Sequence, residues 1–307
     1  MIIDAHMHLW DRVHGDIGDQ VKSLGNGMIA IGDTKVLGMP PYLTDGRATA
    51  EIFMSHMDAA GVDGAVVTQE YLDGSQNDYL SEVQTQYADR IFVHGLLEFR
   101  QPDMLDDEFS ILMGKHTFKG IKAPARYFPG VEPRIYLTDP RLMSVFERME
   151  RRGMILSIDL DEGTTQVDEM REVARAYPEM TIAMGHFAMA NREGWIGQLR
   201  LAEEPNIYVE CGGITWLFRD DGPPFHGAQE AFRIAVGEVG SDKLMWGSDY
   251  PRTMVDFTYE QTLAFLRDGC DFLSDNQRKA ILGGTAKRLF GFEEPTVKRI
   301  PPTKITE

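Results

Sequence analysis

Two histidines near the start of the chain have the type and spacing to act on one ligand. His6 and His8 lie on either side of Met7, at the end of the first apolar run. Side chains two residues apart on a β-strand point to the same side. Such a pair suits two nitrogens on one metal ion, or two donors around one substrate oxygen. The structural alternative is a pair of hydrogen-bonded core histidines.

A carboxylate occurs late in the chain, in the segment Trp-Gly-Ser-Asp-Tyr-Pro at residues 246–251. Asp249 of this segment follows the last apolar run. A buried carboxylate near histidines is costly unless it is paired, which suits a metal ligand or a base with a shifted pKa. Its alternative role is to cap the following helix.

A third histidine and three cations complete the main candidates. His186 follows an apolar run in the middle of the chain, and we place it in the same site. Lys122, Arg126 and Arg252 could bind a substrate carboxylate or polarise a carbonyl. The alternative for each cation is an ion pair with one of the many acidic residues.

Several acidic residues also follow apolar runs, and we expect at most half of them to matter: Glu70, Asp159, Asp161 and Glu210. His94 lies inside a run and is expected to be a packed core residue. The remaining histidines carry little weight: His14, His56, His116 and His226.

Eight short apolar runs predict the strands that position these residues. They are continuous rather than alternating, as buried parallel strands are. Segments with helical periodicity lie between them, so βα repetition predicts an α/β fold, a (β/α)8 TIM barrel. The eight runs are Ile2-Ile3, Ala65-Val66-Val67, Ile91-Phe92-Val93, Gly120-Ile121-Lys122, Met154-Ile155-Leu156, Thr181-Ile182-Ala183, Ile207-Tyr208-Val209 and Leu244-Met245-Trp246.

The clearest predicted helix spans residues 138–152. Thr138 or Asp139 can cap it, Pro140 suits its first turn, and Gly153 ends it. Its apolar stripe consists of Leu142, Val145, Phe146 and Met149. Similar signals predict helices near residues 50–60 and 166–177.

Three segments exceed ordinary βα loops: residues 10–47, 127–137 and 216–225. All three follow strands, so we expect long βα loops at the C-terminal face, with the first covering the barrel mouth. We predict one barrel domain over residues 1–292 and a peripheral tail over 293–307.

Charge and composition exclude several classes of protein. Lys and Arg number 31 and Asp and Glu 48, so the net charge of −17 argues against nucleic-acid and membrane-surface partners. No apolar run reaches the roughly 18 residues of a membrane span, and the N-terminus has no basic region of a signal peptide. The two cysteines, Cys211 and Cys270, are expected to be reduced, which favours a cytoplasmic location. The sequence leaves open whether the protein forms a homo-oligomer.

Four motifs in order resemble the amidohydrolase-related family, of the metal-dependent hydrolase type. They are His6-Met7-His8, Gly185-His186, residues 246–251 and the closing segment at residues 281–290. The resemblance covers residues 1 to about 291 and implies a distorted (β/α)8 barrel. The group includes sugar-acid lactonases, a pyrone-dicarboxylate lactonase, hydratases and aromatic-acid decarboxylases.

One departure from the family pattern narrows the reaction. Its decarboxylases carry a metal-binding histidine at the end of the fifth strand, where this chain has Asp159-Leu160-Asp161. This is similar to the lactonase branch, in which several members work without metal. The resemblance implies that Asp249 activates water, and that His6, His8 and His186 bind metal or polarise the carbonyl.

We therefore expect a hydrolase that opens a lactone of a small sugar acid or dicarboxylic acid. One divalent ion, zinc or manganese, at His6, His8 and Asp249 is an option, and a metal-free reaction is the other. Lys122, Arg126, Arg252 and Glu70 are the expected substrate-binding residues. The alternatives are a lyase, either decarboxylase or hydratase, acting on a small unsaturated or aromatic acid, and a non-catalytic small-molecule-binding barrel.

Overall fold

A parallel barrel of eight strands forms the centre of the computed structural model, which describes residues 1–126 and 134–295. The order of the barrel strands is β1-β5-β6-β7-β8-β9-β10-β11. In chain order the strands are β1 (Ile3–His8), β2 (Val21–Gly25), β3 (Met28–Ile31), β4 (Thr34–Leu37), β5 (Gly64–Thr68), β6 (Ile91–Leu96), β7 (Gly120–Pro124), β8 (Ile155–Asp159), β9 (Ile182–Met184), β10 (Ile207–Glu210) and β11 (Leu244–Met245).

The residues after β11 close the barrel against β1. Met7 forms a parallel bridge with Tyr250, and the amide of His8 donates to the carbonyl of Tyr250 at 2.7 Å. The amide of Ala5 donates to the carbonyl of Trp246 at 2.8 Å. The fold class predicted from the eight apolar runs is confirmed, since each run lies on a barrel strand or at its edge.

Helices connect the strands and pack around them. Their bounds are α1 (Ala50–Ala60), α2 (Asn77–Gln86), α3 (Leu105–Lys115), α4 (Pro140–Glu150), α5 (Val167–Ala176), α6 (Trp195–Leu199), α7 (Ile214–Leu217), α8 (His226–Val239), α9 (Tyr259–Arg267), α10 (Asp275–Lys279) and α11 (Thr285–Phe290). The helices predicted near residues 50–60, 138–152 and 166–177 are α1, α4 and α5.

Helix α4 shows why these segments are helical. Asp139 caps its first turn by accepting from the amide of Arg141 at 2.9 Å, and Pro140 is its first residue. The predicted stripe is the buried face of the helix, since the four residues that α4 buries are Leu142, Val145, Phe146 and Met149.

The barrel interior changes from apolar to polar along the strands. A cluster of buried apolar residues fills the interior toward the N-terminal ends of the strands. Phe290 of α11 packs there on Phe92, at a ring-centroid distance of 5.0 Å. Inward-facing side chains alternate along a strand, so Thr68 follows Val66 in β5 and His94 follows Phe92 in β6. His94 is buried, as expected. Apolar side chains therefore fill the barrel interior toward the N-terminal ends of the strands, and ionisable side chains line it toward their C-terminal ends.

The first long loop, over residues 10–47, contains a small antiparallel sheet, β2-β3-β4, where the sequence interpretation had only a loop. The sequence of this loop does carry the turn residues of a hairpin. Asn26-Gly27 connects β2 to β3 with both residues at positive φ, and Gly32-Asp33 connects β3 to β4. Such two-residue turns are typical of hairpins. The side chains of Val21 and Ile29 join the main core.

The other two insertions and the tail are described in part. The segment at 127–137 is described only from Arg134 onward, and the tail only to residue 295. The segment at 216–225 begins at the end of α7 and includes a 3-10 turn at Arg219–Asp221. The domain boundary at residue 292 and the peripheral tail stay predictions. None of the helices in residues 1–126 and 134–295 has the length and apolar character of a membrane span.

The cap of α4 can be tested by mutation. Asp139→Ala should lower the free energy of unfolding by about 1 kcal/mol, because it removes the acceptor for the amide of Arg141. Asp139→Asn should lose much less, since Asn is an equally good cap. Chemical denaturation measures both. An equal loss in the two variants would contradict the capping role.

Candidate active site

The two histidines of β1 meet at the C-terminal mouth of the barrel. Their Nε2 atoms lie 3.1 Å apart, and both side chains are buried. Carboxylates hold their other ring nitrogens: Nδ1 of His6 contacts Glu210 of β10, and Nδ1 of His8 lies 3.5 Å from Oδ2 of Asp73. Each ring is thus oriented with Nε2 toward its neighbour.

Two glycines leave the space that the His6 ring occupies. A Cβ on Gly212 would lie 2.6 Å from Cγ of His6, and a Cβ on Gly247 would lie 2.8 Å from Cβ of His6. Any larger residue at either position would force the histidine to move.

Asp249 lies beside both histidines. Its Oδ1 is 3.2 Å from Nε2 of His8 and 3.7 Å from Nε2 of His6. Its Oδ2 accepts a hydrogen bond from the indole Nε1 of Trp216 at 2.6 Å. Asp249 has a φ of 56° and His186 a φ of 53°, a left-handed conformation that non-glycine residues rarely adopt. Such strain is concentrated at functional sites.

A buried network anchors the segment that carries Asp249. The carboxylate of Asp4 accepts from the amide of Ser248 at 2.8 Å, from its hydroxyl at 2.6 Å and from the hydroxyl of Tyr259 at 2.9 Å. Burial raises the pKa of Asp4 to about 7, although the bonds from Ser248 oppose this.

The three groups His6, His8 and Asp249 fit a divalent metal ion. Ligand atoms of a tetrahedral zinc ion lie about 3.3–3.4 Å apart, given bonds of about 2.0–2.1 Å. The observed separations are 3.1, 3.2 and 3.7 Å. Carboxylates on the far side of ligating imidazoles are also typical of metal sites. These three residues could therefore hold one ion.

A second cluster adjoins the first, since the ring centroids of His6 and His186 are 4.6 Å apart. Glu70 after β5, Asp159 of β8 and His186 after β9 have side chains close enough to share a ligand. Lys122 of β7 lies among them, with Nζ 2.6 Å from Oδ2 of Asp159 and 3.4 Å from Oε1 of Glu70. The ammonium of Lys122 neutralises these acids together with His186, whose Nε2 lies 3.5 Å from Oδ2 of Asp159.

The charges of the second cluster follow from these contacts. Burial opposes the charged form of Lys122, but Asp159 and Glu70 outweigh it and raise the pKa of the lysine. Burial would raise the pKa of Asp159, yet Lys122 and His186 hold it well below its usual range. Burial and the charge of Asp159 raise the pKa of Glu70 to about 8. At neutral pH the ion pair is Lys122 with Asp159.

The imidazoles divide between charged and neutral forms. Burial opposes protonation of His8, but hydrogen bonds with Asp249 and Asp73 raise its pKa to about 10. Burial likewise opposes protonation of His186, whose pKa Asp159 raises to about 9. Burial and the neighbouring cations hold the pKa of His6 well below its usual value.

Asp249 is ionised in this environment. Burial alone would raise its pKa, but the hydrogen bond with His8 and the charge of His186 lower it. A base with a shifted pKa was expected, and the direction of the shift is downward. Glu210 behaves in the opposite way, because burial raises its pKa to about 8.

The other residues expected near the mouth lie farther out. Arg126 pairs with Glu162 at 3.3 Å. Arg252 pairs with Asp256 at 2.9 Å and lies over the ring of Trp216. The amide of Asp161 donates to Gln166 at 2.7 Å. Among the described residues, neither group of candidate metal ligands includes any of these three.

The sequence interpretation missed three residues of the site: Asp4, Asp73 and Trp216. Asp73 follows Glu70 by three residues in the same loop, so its position could have marked it. Trp216 begins an insertion without a readable motif, and nothing in the sequence pairs it with Asp249.

These features define a class of protein, a (β/α)8-barrel enzyme with two imidazoles on the first strand and a carboxylate after the last. The sequence model of the amidohydrolase family matches residues 3–292, and the chain belongs to that family. The resemblance inferred from the four motifs is confirmed.

Known relatives include enzymes with different reactions. An L-fucono-1,5-lactonase from Burkholderia ambifaria is 24% identical over 304 residues, which are 96% of this chain and 97% of that protein. The crystal structure of a probable 2-pyrone-4,6-dicarboxylic acid hydrolase from Acinetobacter baumannii has a TM-score of 0.68 and 19% identity, covering 95% of this chain and 99% of that one.

A 5-carboxyvanillate decarboxylase from Sphingomonas paucimobilis is also similar, with a TM-score of 0.59 and 17% identity over 85% of this chain and 88% of its own. At these identities the solved structures establish the fold and leave the reaction open.

The raised pKa of Glu210 predicts a pH effect on stability. Its unfolded value is about 4.3, so between about pH 4.3 and pH 8 the folded state binds more protons and becomes less stable as pH rises. Glu210→Gln removes this titration. Urea unfolding at pH 5 and pH 8 should show a loss of stability in wild type that is smaller in the variant, by at least about 1 kcal/mol. The same substitution at the exposed Glu172 should leave the loss unchanged, and equal losses in all three proteins would refute the assignment.

Proposed function

We propose that the chain is a hydrolase that opens a lactone of a small sugar acid or dicarboxylic acid by activated water. The observation that carries the proposal is the position of Asp249. Its carboxylate has one oxygen toward two imidazoles and the other oxygen fixed by Trp216. Such a group can orient a water molecule and accept its proton in a fixed direction.

In the proposed reaction each side chain has one task. Asp249 removes a proton from water as the water attacks the lactone carbonyl. The cations of His8 and His186 would stabilise the negative charge that develops on the carbonyl oxygen, and either could then return a proton to the leaving oxygen. Asp249 can act as the base despite its low pKa, because the attacking water becomes strongly acidic as its bond to carbon forms.

A divalent ion fits this proposal as an option. His6, His8 and Asp249 would hold it, and the ion would act as a Lewis acid on the carbonyl or lower the pKa of bound water. A ligating imidazole is neutral, so His8 would act as a cation only without the metal, whereas His186 could keep its charge in both cases.

The relatives support a hydrolase and keep one alternative open. The lactonase from Burkholderia ambifaria matches almost the whole chain. The fold is equally shared by a decarboxylase, so a lyase acting on a small aromatic or unsaturated acid is the second candidate. Against the lyase, β8 ends in Asp159 where the family decarboxylases carry a histidine, and this Asp is engaged by Lys122. A barrel that binds a ligand without turnover is the third.

The base can be tested directly. Asp249→Asn should lower kcat for lactone opening by at least about 100-fold, because the amide cannot accept a proton from water. A pH-indicator assay with a panel of lactones measures the rate, and circular dichroism verifies the fold. Asp168→Asn, the same change at a fully exposed site, should have no effect. Near wild-type turnover in Asp249→Asn would rule out this base.

The indole of Trp216 should affect the rate more than binding. Trp216→Phe keeps an aromatic ring but removes the hydrogen bond to Asp249, so kcat should fall about 10- to 100-fold with KM changed less than about 3-fold. Trp195→Phe is the matched control, since the ring of Trp195 stacks on Phe187 at a centroid distance of 6.3 Å and a phenyl ring can keep that stacking. An increase in KM alone would mean that Trp216 only contacts the substrate.

The metal site makes a separate prediction. Wild-type protein titrated with Zn²⁺ should bind one ion at the β1 histidines, and His8→Ala should weaken this binding at least about 10-fold. His226→Ala, a change of an exposed histidine, should bind like wild type. Calorimetry with zinc alone measures the affinity, and equal affinity in both variants would refute the assignment of ligands.

A further inference from the structure

Strand β1 contains one extra residue just before the site. Asp4 pairs with Ala65 and Met7 pairs with Val67, so three steps along β1 match two steps along β5. An extra residue of this kind is a β-bulge, which bends the strand and changes the direction of a side chain, and bulges are frequent next to active sites. The bulge lies at residues 5–6 and therefore includes the first histidine of the site.

The bulge determines which way His6 points. Side chains normally alternate between the two faces of a strand. Ala5 lies in the apolar cluster of the barrel interior, and Met7 lies in the main core that the helices share. His6 also faces the interior, where its ring meets that of His8. Without the extra residue, Ala5 and His6 would lie on opposite faces, so the bulge is what brings the His6 ring to the mouth.

The carboxylate of Asp4 connects this bulge to the segment that carries Asp249. Its Oδ1 accepts from the amide of His6 at 3.3 Å and from the amide of Ser248 at 2.8 Å. Its Oδ2 accepts from the hydroxyl of Ser248 at 2.6 Å and from the hydroxyl of Tyr259 at 2.9 Å. One fully buried side chain thus bonds the bulge and the residue before Asp249 at the same time.

Backbone bonds complete the connection between the two segments. The amide of Asp249 donates to the carbonyl of His6 at 2.9 Å, and the carbonyl of Asp249 accepts from the amide of Thr253 at 3.0 Å. The hydroxyl of Thr253 donates to the carbonyl of Ser248 at 2.7 Å. These bonds hold Asp249 at its positive φ. A shift of the bulge relative to Ser248 would therefore change the separation of Asp249 from the imidazoles.

We propose that Asp4 is a positioning residue, which holds the bulge of β1 against Ser248 and so sets the distance between Asp249 and the imidazoles of His6 and His8. A displacement of about 1 Å can lower the rate of a reaction about 100-fold, so such a residue affects turnover without touching the substrate. The kinetic part of this inference rests on the proposed function, whereas the distance itself can be measured without turnover.

Two substitutions of Asp4 separate shape from mere presence. Asp4→Ala removes the acceptor of both amides and should lower kcat for lactone opening at least about 100-fold, with KM changed less than about 3-fold. Asp4→Asn keeps an acceptor for the amides and a donor for the two hydroxyls, so its kcat should stay within about 10-fold of wild type. A loss confined to KM, or an equal loss of kcat in both variants, would overturn the inference.

The hydroxyl of Tyr259 gives a milder test that keeps the buried carboxylate. Tyr259→Phe removes one hydrogen bond to Asp4 and should lower kcat about 10-fold, again with little change in KM. Tyr177→Phe is the matched control, since the hydroxyl of Tyr177 donates to the carbonyl of Met143 at 2.7 Å, and its kcat should equal that of wild type. An unchanged kcat in Tyr259→Phe would overturn the inference.

Crystal structures of wild type and Asp4→Ala measure the position directly. The distance from Oδ1 of Asp249 to Nε2 of His8, which is 3.2 Å here, should lengthen by at least about 0.5 Å in the variant. If Asp4→Ala does not fold, Tyr259→Phe takes its place. An unchanged distance would overturn the role of Asp4 even if kcat falls. If wild type opens no lactone but the distance lengthens in the variant, the proposed reaction is wrong and the positioning role stands.

Discussion

The mutual neutralisation of buried charges is the constraint on which the mouth of this barrel depends. An isolated ion in such a place would be strongly destabilising, and a pair is tolerated only when its geometry is good. Lys122 lies 2.6 Å from Asp159, and His8 lies 3.2 Å from Asp249. Removing one partner would leave the other buried and uncompensated. The same contacts that stabilise the fold therefore set the charge of each group in the site.

The pairing also gives the mouth two adjoining clusters with different chemistry. On the side of β1 and β11, an ionised carboxylate lies between imidazoles, which suits proton transfer or a single metal ion. On the side of β5 to β8, Lys122 neutralises the acids and leaves Glu70 at the surface of the cleft.

The strands and the positions of the main candidate residues were predictable because both depend on local pattern. Barrel strands read as continuous apolar runs, and His6, His8, His186 and Asp249 each follow such a run, at the barrel end where active sites lie. Partners across space were not predictable. Nothing local links Trp216 to Asp249, which lie 33 residues apart, and the engagement of Lys122 by two acids depends on tertiary distances. The small β2-β3-β4 sheet was readable from Asn26-Gly27 but was interpreted as loop.

Isotope labelling of the product tests most directly whether water attacks the lactone carbonyl. Ring opening would be carried out in H₂¹⁸O and the hydroxy acid examined by mass spectrometry with fragmentation. Attack of water on the carbonyl should place one ¹⁸O atom in the new carboxylate and none in the released hydroxyl. Label in the hydroxyl, or formation of an unlabelled product with loss of carbon dioxide, would contradict it.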